Sequence, residues 1–432
     1  MNWREEYADR IVSPKEAVSH IKSGDRVVVD HACGEPYVIT DAMANYADEF
    51  GYTDVEVVHM VAMGKALYCT PENAKHFRHN SFFVGKTTRD AVNSPRGDLT
   101  PVYFSEIPHL LETGLPVDVA LIQVSEPDKH GYCSFGISCD YTKSAAEHAK
   151  LVIAQVNKNM PRVLGDNFIH ISKLDYIVDI TNDVIALQPA KIGETEKKIG
   201  ENVAQLVQDG DCLQLGIGGI PDALLAFLGD KKHLGIHSEM FSDGVVDLIK
   251  AGVIDNSRKQ IDVGKSTVTF LMGTRKLYDF VDDNPTVLME PVDVVNDPYV
   301  ICQNDNVCSI NSCVEVDLMG QVVSDCIGLK QISGVGGQVD FVRGANLSKN
   351  GRTIMAMPAT TGHGTISKIV PFITQGAAVT TNRFDVNYVV TEYGIAQLKG
   401  QTLRERAKRL IAIAAPQFRD ELTAEYKKRF EY

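Results

Sequence analysis

The chain has 432 residues, a formal net charge of −13, 44% hydrophobic and 23% charged residues. That length and balance describe a globular protein of two or three domains, and the acidic surplus argues against an extended nucleic-acid surface, which needs clustered Lys and Arg. No run approaches the roughly 18 uninterrupted apolar residues of a membrane span, and the opening stretch MNWREEYADRIVS carries charges where a signal peptide has its apolar centre, so the expected setting is cytoplasmic with no membrane partner.

Taken in chain order, GDRVVVDH (24–31) reads as a turn entering a buried strand, and EPYVITDAMANYADEF (35–50) as the helix after it. VDVALIQVS (117–125) reads as a buried strand; AAEHA (145–149) leads into the strands KLVIAQV (150–156) and LDYIVDI (174–180). DCLQLGI (211–217), STVTFLMG (266–273), TIMAMPA (353–359), AAVTT (377–381) and NYVVTEYG (387–394) complete the strand-like runs. Apolar strands alternating with helical segments predict an α/β protein with largely parallel sheets covered on both faces.

An internal echo refines this. AVSHIKSGDRVVVDHACGEPYVITDAM (17–43) and NVAQLVQDGDCLQLGIGGIPDALLAFL (202–228) share the order helix, Gly-Asp turn, strand, glycine-containing turn, proline, helix. Gly24-Asp25 maps onto Gly210-Asp211 and Pro36 onto Pro221, with one gap. The echo predicts two related open α/β domains, 1–188 and 189–432, divided near ALQPAKIGETEK (186–197), with the active site in the cleft between them. Chance similarity of two strand-turn-helix units is the competing explanation.

The nine cysteines at 33, 69, 133, 139, 212, 302, 308, 313 and 326 form no C-x-x-C pair. Their irregular spacing fits reduced thiols better than disulfides or a zinc site, and no metal is expected.

LGIGGIPDALLAFL (215–228) is the sharpest local motif: a strand ends, Gly216, Gly218 and Gly219 follow, and Pro221 stands where a helix would begin. Bare amides at a helix start can cradle a phosphate or a developing oxyanion. Gly216 and Gly218 also fit a dinucleotide G-x-G-x-x-G with Glu239 as the later acid, but Pro221 occupies the third glycine position. That leaves a nicotinamide-dependent oxidoreductase as a rival. A second turn, Gly334, Gly336 and Gly337, precedes Gln338, and by itself is equally well an ordinary tight turn.

HLGIHSEMFSDG (233–244) reads as a short strand, Glu239, then a helix from about Met240. Glu239 would then stand at the carboxyl end of a strand, where open α/β sheets bind ligands. A solvated acid at a helix start is the plainer alternative.

Together GIGGIP, HLGIHSEM, SGVGGQVDFVRGA, ISKIVP and VTTNRFDVNYVVTEYGIA, with SEPDKHGYCSFGIS (125–138) in the first half, resemble the acetyl-CoA hydrolase/transferase family of class I CoA-transferases. The resemblance covers essentially the whole chain. It implies Glu239 as nucleophile and places the Gly216, Ile217, Gly218, Gly219, Ile220 turn and the Gly337 amide on the thioester and CoA. It adds Asn296 and Glu392 as active-site neighbours and brings His31 from the first half. Gly336, Met357 and Lys368 are implied on the CoA side. Without the resemblance, Asn296 could be a turn residue before Asp-Pro, Glu392 an ion-pair member, His31 a core histidine and Lys368 a surface charge. The implied substrates are a small acyl-CoA and a free carboxylate, with coenzyme A as substrate, no resident cofactor, and a homodimer or dimer-based assembly. Acyl-CoA hydrolysis by the same residues, and a non-catalytic CoA-binding module, are the alternatives to transfer.

Overall fold

The computed structural model describes residues 2–431 and divides into two compact units, one running to Leu187 and including Thr267–Val295, the other comprising Gln188–Ser266 and the chain from Asn296 onward. The first division falls beside the boundary expected near residue 188. Residues 267–295, expected in the C-terminal half, instead fold with the first unit. Backbone bonds account for this: the Cys139 and Asp140 amides both donate to Thr269 O, at 3.1 and 3.2 Å, and the Met289 amide donates to Leu164 O at 2.8 Å. Hydrogen bonding between segments far apart in sequence leaves no local signature.

The first unit is built on seven strands: β1 Arg26–Val29, β2 Val55–His59, β3 Phe77–Ser81, β4 Gly97–Leu99, β5 Val119–Val124, β6 Leu151–Asn157 and β7 Tyr176–Ile180. They are all parallel, in the order β4-β3-β2-β1-β5-β6-β7. β1 lies in the middle, with Val27 facing Val57 on one side and Val119 on the other. A strand hydrogen-bonded on both edges and covered on both faces is mostly apolar, and Val27, Val28 and Val29 are each at most 1% exposed. The Tyr37–Asn45 helix packs Ile39 and Met43 into the same core as Val27, Val57 and Leu121. The predicted 35–50 helix is interrupted at Tyr46, where φ −101° and ψ 8° end one segment before Ala47–Phe50 begins.

The second unit contains β8 Cys212–Leu215, β9 Gly235–Ile236, β10 Met240–Phe241, β11 Val307–Ser312, β12 Arg352–Ala356, β13 Tyr388–Thr391 and β14 Gly394–Gln397. β8, β11, β12 and β13 run parallel; β14 returns antiparallel to β13, and β10 lies antiparallel on the other side of β8. The Gln338–Leu347 helix covers one face, burying Phe341 and Val342, and Leu403–Ile413 contributes Ala407 and Leu410 to the core with Val389 and Met355. AAVTT (377–381) forms no strand. Its backbone instead serves a loop, with Thr380 and Thr381 donating to Val322 O at 2.9 and 3.1 Å. STVTFLMG breaks into Ser266–Val268 and Phe270–Leu271.

The internal echo is structural as well as textual. Gly24 and Gly210 both adopt positive φ, 84° and 79°. Asp25 accepts from the amide of Lys22 and Asp211 from that of Gln208, three residues back in each case, at 2.8 and 2.6 Å. Each Gly-Asp then feeds a strand that pairs in parallel with the next, Arg26 with Glu56 and Cys212 with Gly235.

Candidate functional site

The parallel strands of the second unit end within two residues of one another. Leu215 faces Ile310, Ser312 faces Ala356, and Ala356 faces Val390. The residues that follow these ends therefore share one rim: Gly216 after β8, Cys313 after β11, Met357 after β12 and Glu392 after β13. In an open parallel sheet this is the edge at which chain crossovers leave exposed backbone and where ligands bind.

Glu239 joins this rim through a reversal. The chain runs parallel to β8 at Gly235 and Ile236, bends, and returns antiparallel with Met240 opposite Leu215. One residue beyond that pair on either chain stand Gly216 and Glu239. The helix expected from Met240 starts at Asp243, after β10 and the extended residue Ser242. Glu239 is thus in a bend and only partly exposed, not in the first turn of a helix. Its Oε2 accepts a hydrogen bond from Asn296 Nδ2 at 3.1 Å. Asn296 is fully buried and its Oδ1 has no protein partner among the described residues. The Asn-Asp-Pro sequence does make a turn, with Asp297 accepting from the Tyr299 amide at 2.8 Å. The Asn296 side chain, however, is directed at the carboxylate.

Gly337 closes the third side. A Cβ built there would overlap both Glu239 Oε2 and Asn296 Nδ2, so the carboxylate occupies the space a side chain would need. Gly337 is also the residue from which the ten-residue Gln338–Leu347 helix springs, which puts the positive end of that helix beside the carboxylate. The preceding Gly336 has φ +52°.

The first part of the 216–220 turn is open, whereas Ile220 is buried. Cβ atoms built on Gly216 and Gly218 would meet nothing within 4 Å, and Ile217 is 47% exposed. Gly218 has φ +115° and ψ −177°, a conformation essentially restricted to glycine. The helix after it begins at Gly219, two residues before the expected proline, so Pro221 lies within its first turn. Asp222 ties this helix to the chain leaving Glu239, accepting from the Ser242 hydroxyl at 3.3 Å and from the Ala190 amide at 3.3 Å. A carboxylate with open bare backbone opposite it is equipped to act on a carbonyl group, because the attacking oxygen and candidate oxyanion donors share one rim.

Residues 1–189 match the acetyl-CoA hydrolase/transferase N-terminal domain and residues 273–426 the corresponding C-terminal domain. The chain is 62% identical over 431 residues to the 4-hydroxybutyrate coenzyme A transferase of Clostridium kluyveri, with 100% of both chains covered. The chain belongs to the acetyl-CoA hydrolase/transferase family. It is also 45% identical over 422 residues to the succinyl-CoA:cyclohexane-1-carboxylate CoA transferase of Geobacter metallireducens, covering 98% of this chain and 96% of that one. A solved 4-hydroxybutyrate CoA-transferase from Porphyromonas gingivalis superposes with a TM-score of 0.86 at 44% identity, over 99% of this chain and 100% of that one.

The remaining residues implied by family resemblance fall differently. Glu392 is partly buried in the turn between β13 and β14, and its Oε2 accepts from the Ala359 amide at 2.8 Å. Ala359 O in turn accepts from the Lys368 amide at 2.9 Å. The Lys368 ammonium donates to Cys313 O at 3.0 Å, and burial pulls its pKa below the ordinary lysine value. Through its amide and its ammonium this lysine links Ala359 and Cys313. Met357 is fully buried, with Sδ 3.5 Å from Cys313 Sγ, inside the apolar core. Its side chain lines no accessible surface.

His31 lies in the first unit, 1% exposed, with Nδ1 3.0 Å from Asp140 Oδ2. Its ring sits edge-on to Phe104 and Phe270, with centroids 5.6 and 4.6 Å away, and Nε2 has no partner among the described residues. Of the named residues, the structure brings Glu239, Asn296 and Gly337 into mutual contact. One neighbour of Glu239 escapes the sequence reading: Ser238, fully buried, whose hydroxyl contacts both the amide and the carbonyl of Leu215. Its only signal in the sequence is a hydroxyl directly before the acid.

Proposed function

We propose that the protein transfers coenzyme A between a short-chain acyl-CoA and a free carboxylate, with Glu239 as the covalent nucleophile. One observation carries the reading: a partly exposed carboxylate held by the Asn296 amide and packed where Gly337 has no side chain. The names of the relatives support the substrate class, and 4-hydroxybutyrate, the acid named in two of them, is the acceptor we favour.

Direct reaction of a free carboxylate with a thioester is slow, and an enzyme carboxylate divides it into easier steps. Glu239 attacks the acyl-CoA carbonyl; the C–S bond breaks, giving an acyl-glutamyl anhydride and CoA thiolate. The thiolate attacks the glutamyl carbonyl and expels the first acid as its carboxylate, leaving a glutamyl-CoA thioester. An incoming carboxylate attacks that thioester, forming a new anhydride and releasing the thiolate. Attack of the thiolate on the acyl carbonyl then yields the new acyl-CoA and regenerates Glu239. No proton or electron is gained or lost overall, so the cycle needs neither a resident metal nor a redox cofactor. Each tetrahedral intermediate carries a negative oxygen, for which the open amides of the 216–220 turn are candidate donors, each worth roughly 3–4 kcal/mol in comparable sites.

Incubation with acetyl-CoA in the absence of an acceptor acid should place the mass of CoA on the peptide containing Glu239, and initial rates should follow ping-pong kinetics. Glu239→Gln should abolish both the adduct and turnover while still binding CoA. Sequential kinetics with no adduct would remove this reading. Thiol release that continues at the transfer rate without an acceptor would make the protein a hydrolase.

A further inference from the structure

We propose that Ser238 is a positioning residue for the transfer reaction, a hydroxyl clip that fixes Glu239 against the glycine turn. The inference rests on the assignment of Glu239 as nucleophile and names what holds that side chain's backbone in place.

The geometry is local. Between β9, parallel to β8, and β10, antiparallel to it, the chain reverses direction within three residues, His237 to Glu239. The His237 amide still donates to Leu213 O at 3.2 Å, in continuation of the parallel pairing. Regular pairing then stops, and Ser238 takes over through its side chain. Its Oγ accepts from the Leu215 amide at 3.2 Å and donates to Leu215 O at 3.2 Å. Leu215 is 2% exposed and Ser238 fully buried, so water does not replace these bonds. One hydroxyl has both a donor and an acceptor capacity and here uses each on the same residue.

Leu215 is the last residue of β8 and Gly216 the first of the open turn. A clip on Leu215 therefore fixes two things together: the bend carrying Glu239 and the start of the glycine turn at Gly216. Asn296 and Gly337 constrain the end of the glutamate side chain, whereas Ser238 constrains its base. Attack on a thioester demands alignment to within a fraction of an ångström, and a displacement of about 1 Å costs on the order of 100-fold. A misaligned nucleophile slows attack without itself removing a contact to CoA, so the loss is expected in kcat rather than in KM.

The test compares Ser238→Thr with Ser238→Val. The two side chains have nearly the same shape, and only threonine retains the hydroxyl. Threonine should retain the rate of CoA-adduct formation from acetyl-CoA within about threefold, and valine should lose at least about tenfold in that rate and in kcat, with KM for acetyl-CoA unchanged within twofold. Ser238→Ala, which adds no bulk, should match valine and guards against a folding failure of the larger variant. Equal adduct rates for threonine and valine would overturn the proposal. So would a valine variant that loses only thermal stability. Absence of the adduct in the unmodified protein would instead refute the nucleophile assignment, and the two failures are thereby distinct.

Discussion

Gly337→Ala tests the site most directly. At φ −90° and ψ 5° the backbone of residue 337 lies in the bridge region, which alanine also enters at type I turns, so positive φ is not the obstacle. What it adds is one methyl group, placed where Glu239 Oε2 and Asn296 Nδ2 now are, with Glu239 Cδ only 3.1 Å away. The carboxylate must retreat by about 1 Å, a displacement that costs on the order of 100-fold in rate, or about 2.7 kcal/mol of transition-state stabilisation. An independent route gives a similar size. The retreat breaks the Asn296–Glu239 hydrogen bond, and a bond to a charged group contributes about 1.5–3 kcal/mol. The assay is steady-state CoA transfer from acetyl-CoA to a short-chain acid, alongside mass spectrometry of the adduct on Glu239. The expected result is a kcat lower by about 100-fold with the protein still folded by circular dichroism. A variant that turns over within threefold of the unmodified protein would show that the Gly337 contact does not control the nucleophile.

Two further outcomes follow from buried groups. His79 is fully buried, and burial depresses its pKa from 6.5 to about 4. The folded state thus binds fewer protons than the unfolded chain between those values. Its contribution to stability is present above about pH 6.5 and is lost as pH falls toward 4, by about 3 kcal/mol in all. Urea unfolding at pH 7 and pH 4.5 should show the loss, and His79→Gln should reduce the slope of stability against pH in that window; an unchanged slope would refute the assignment. Lys368→Met should lower the thermal midpoint and leave KM for acetyl-CoA within twofold, because its ammonium is committed to Cys313 O. A large rise in KM with unchanged stability would restore the phosphate-binding role implied by resemblance.

The sequence by itself determined the fold class and much of the strand inventory. Central strands such as Arg26–Val29, Val119–Val124 and Leu151–Asn157 announce themselves because burial on both faces demands mostly apolar runs. The Gly-Asp echo was legible for the same local reason: the turn, its aspartate bond and the strand after it are all formed by neighbours in the chain. Val307–Ser312 is not evident in that pattern, since Ser309, Asn311 and Ser312 are polar. The interior accepts Ser309 because its hydroxyl donates to Gln214 on the adjacent strand at 2.6 Å. That partner lies 95 residues away in sequence.

Glu239 and its flanking glycine turns could be singled out as motifs, and their chemistry was implied only by the family resemblance. Position in the chain alone favoured a solvated helix-start acid. Only the tertiary structure decided otherwise, by bringing Asn296, 57 residues distant, and Gly337 against one carboxylate, and by starting the helix at Asp243. It likewise assigned residues 267–295 to the first unit and buried Met357 in the core. Local propensity and hydrophobic period fix which segments become strands and helices. Which side chains meet at their ends depends on register and crossover, and those are settled only when the distant strands pair.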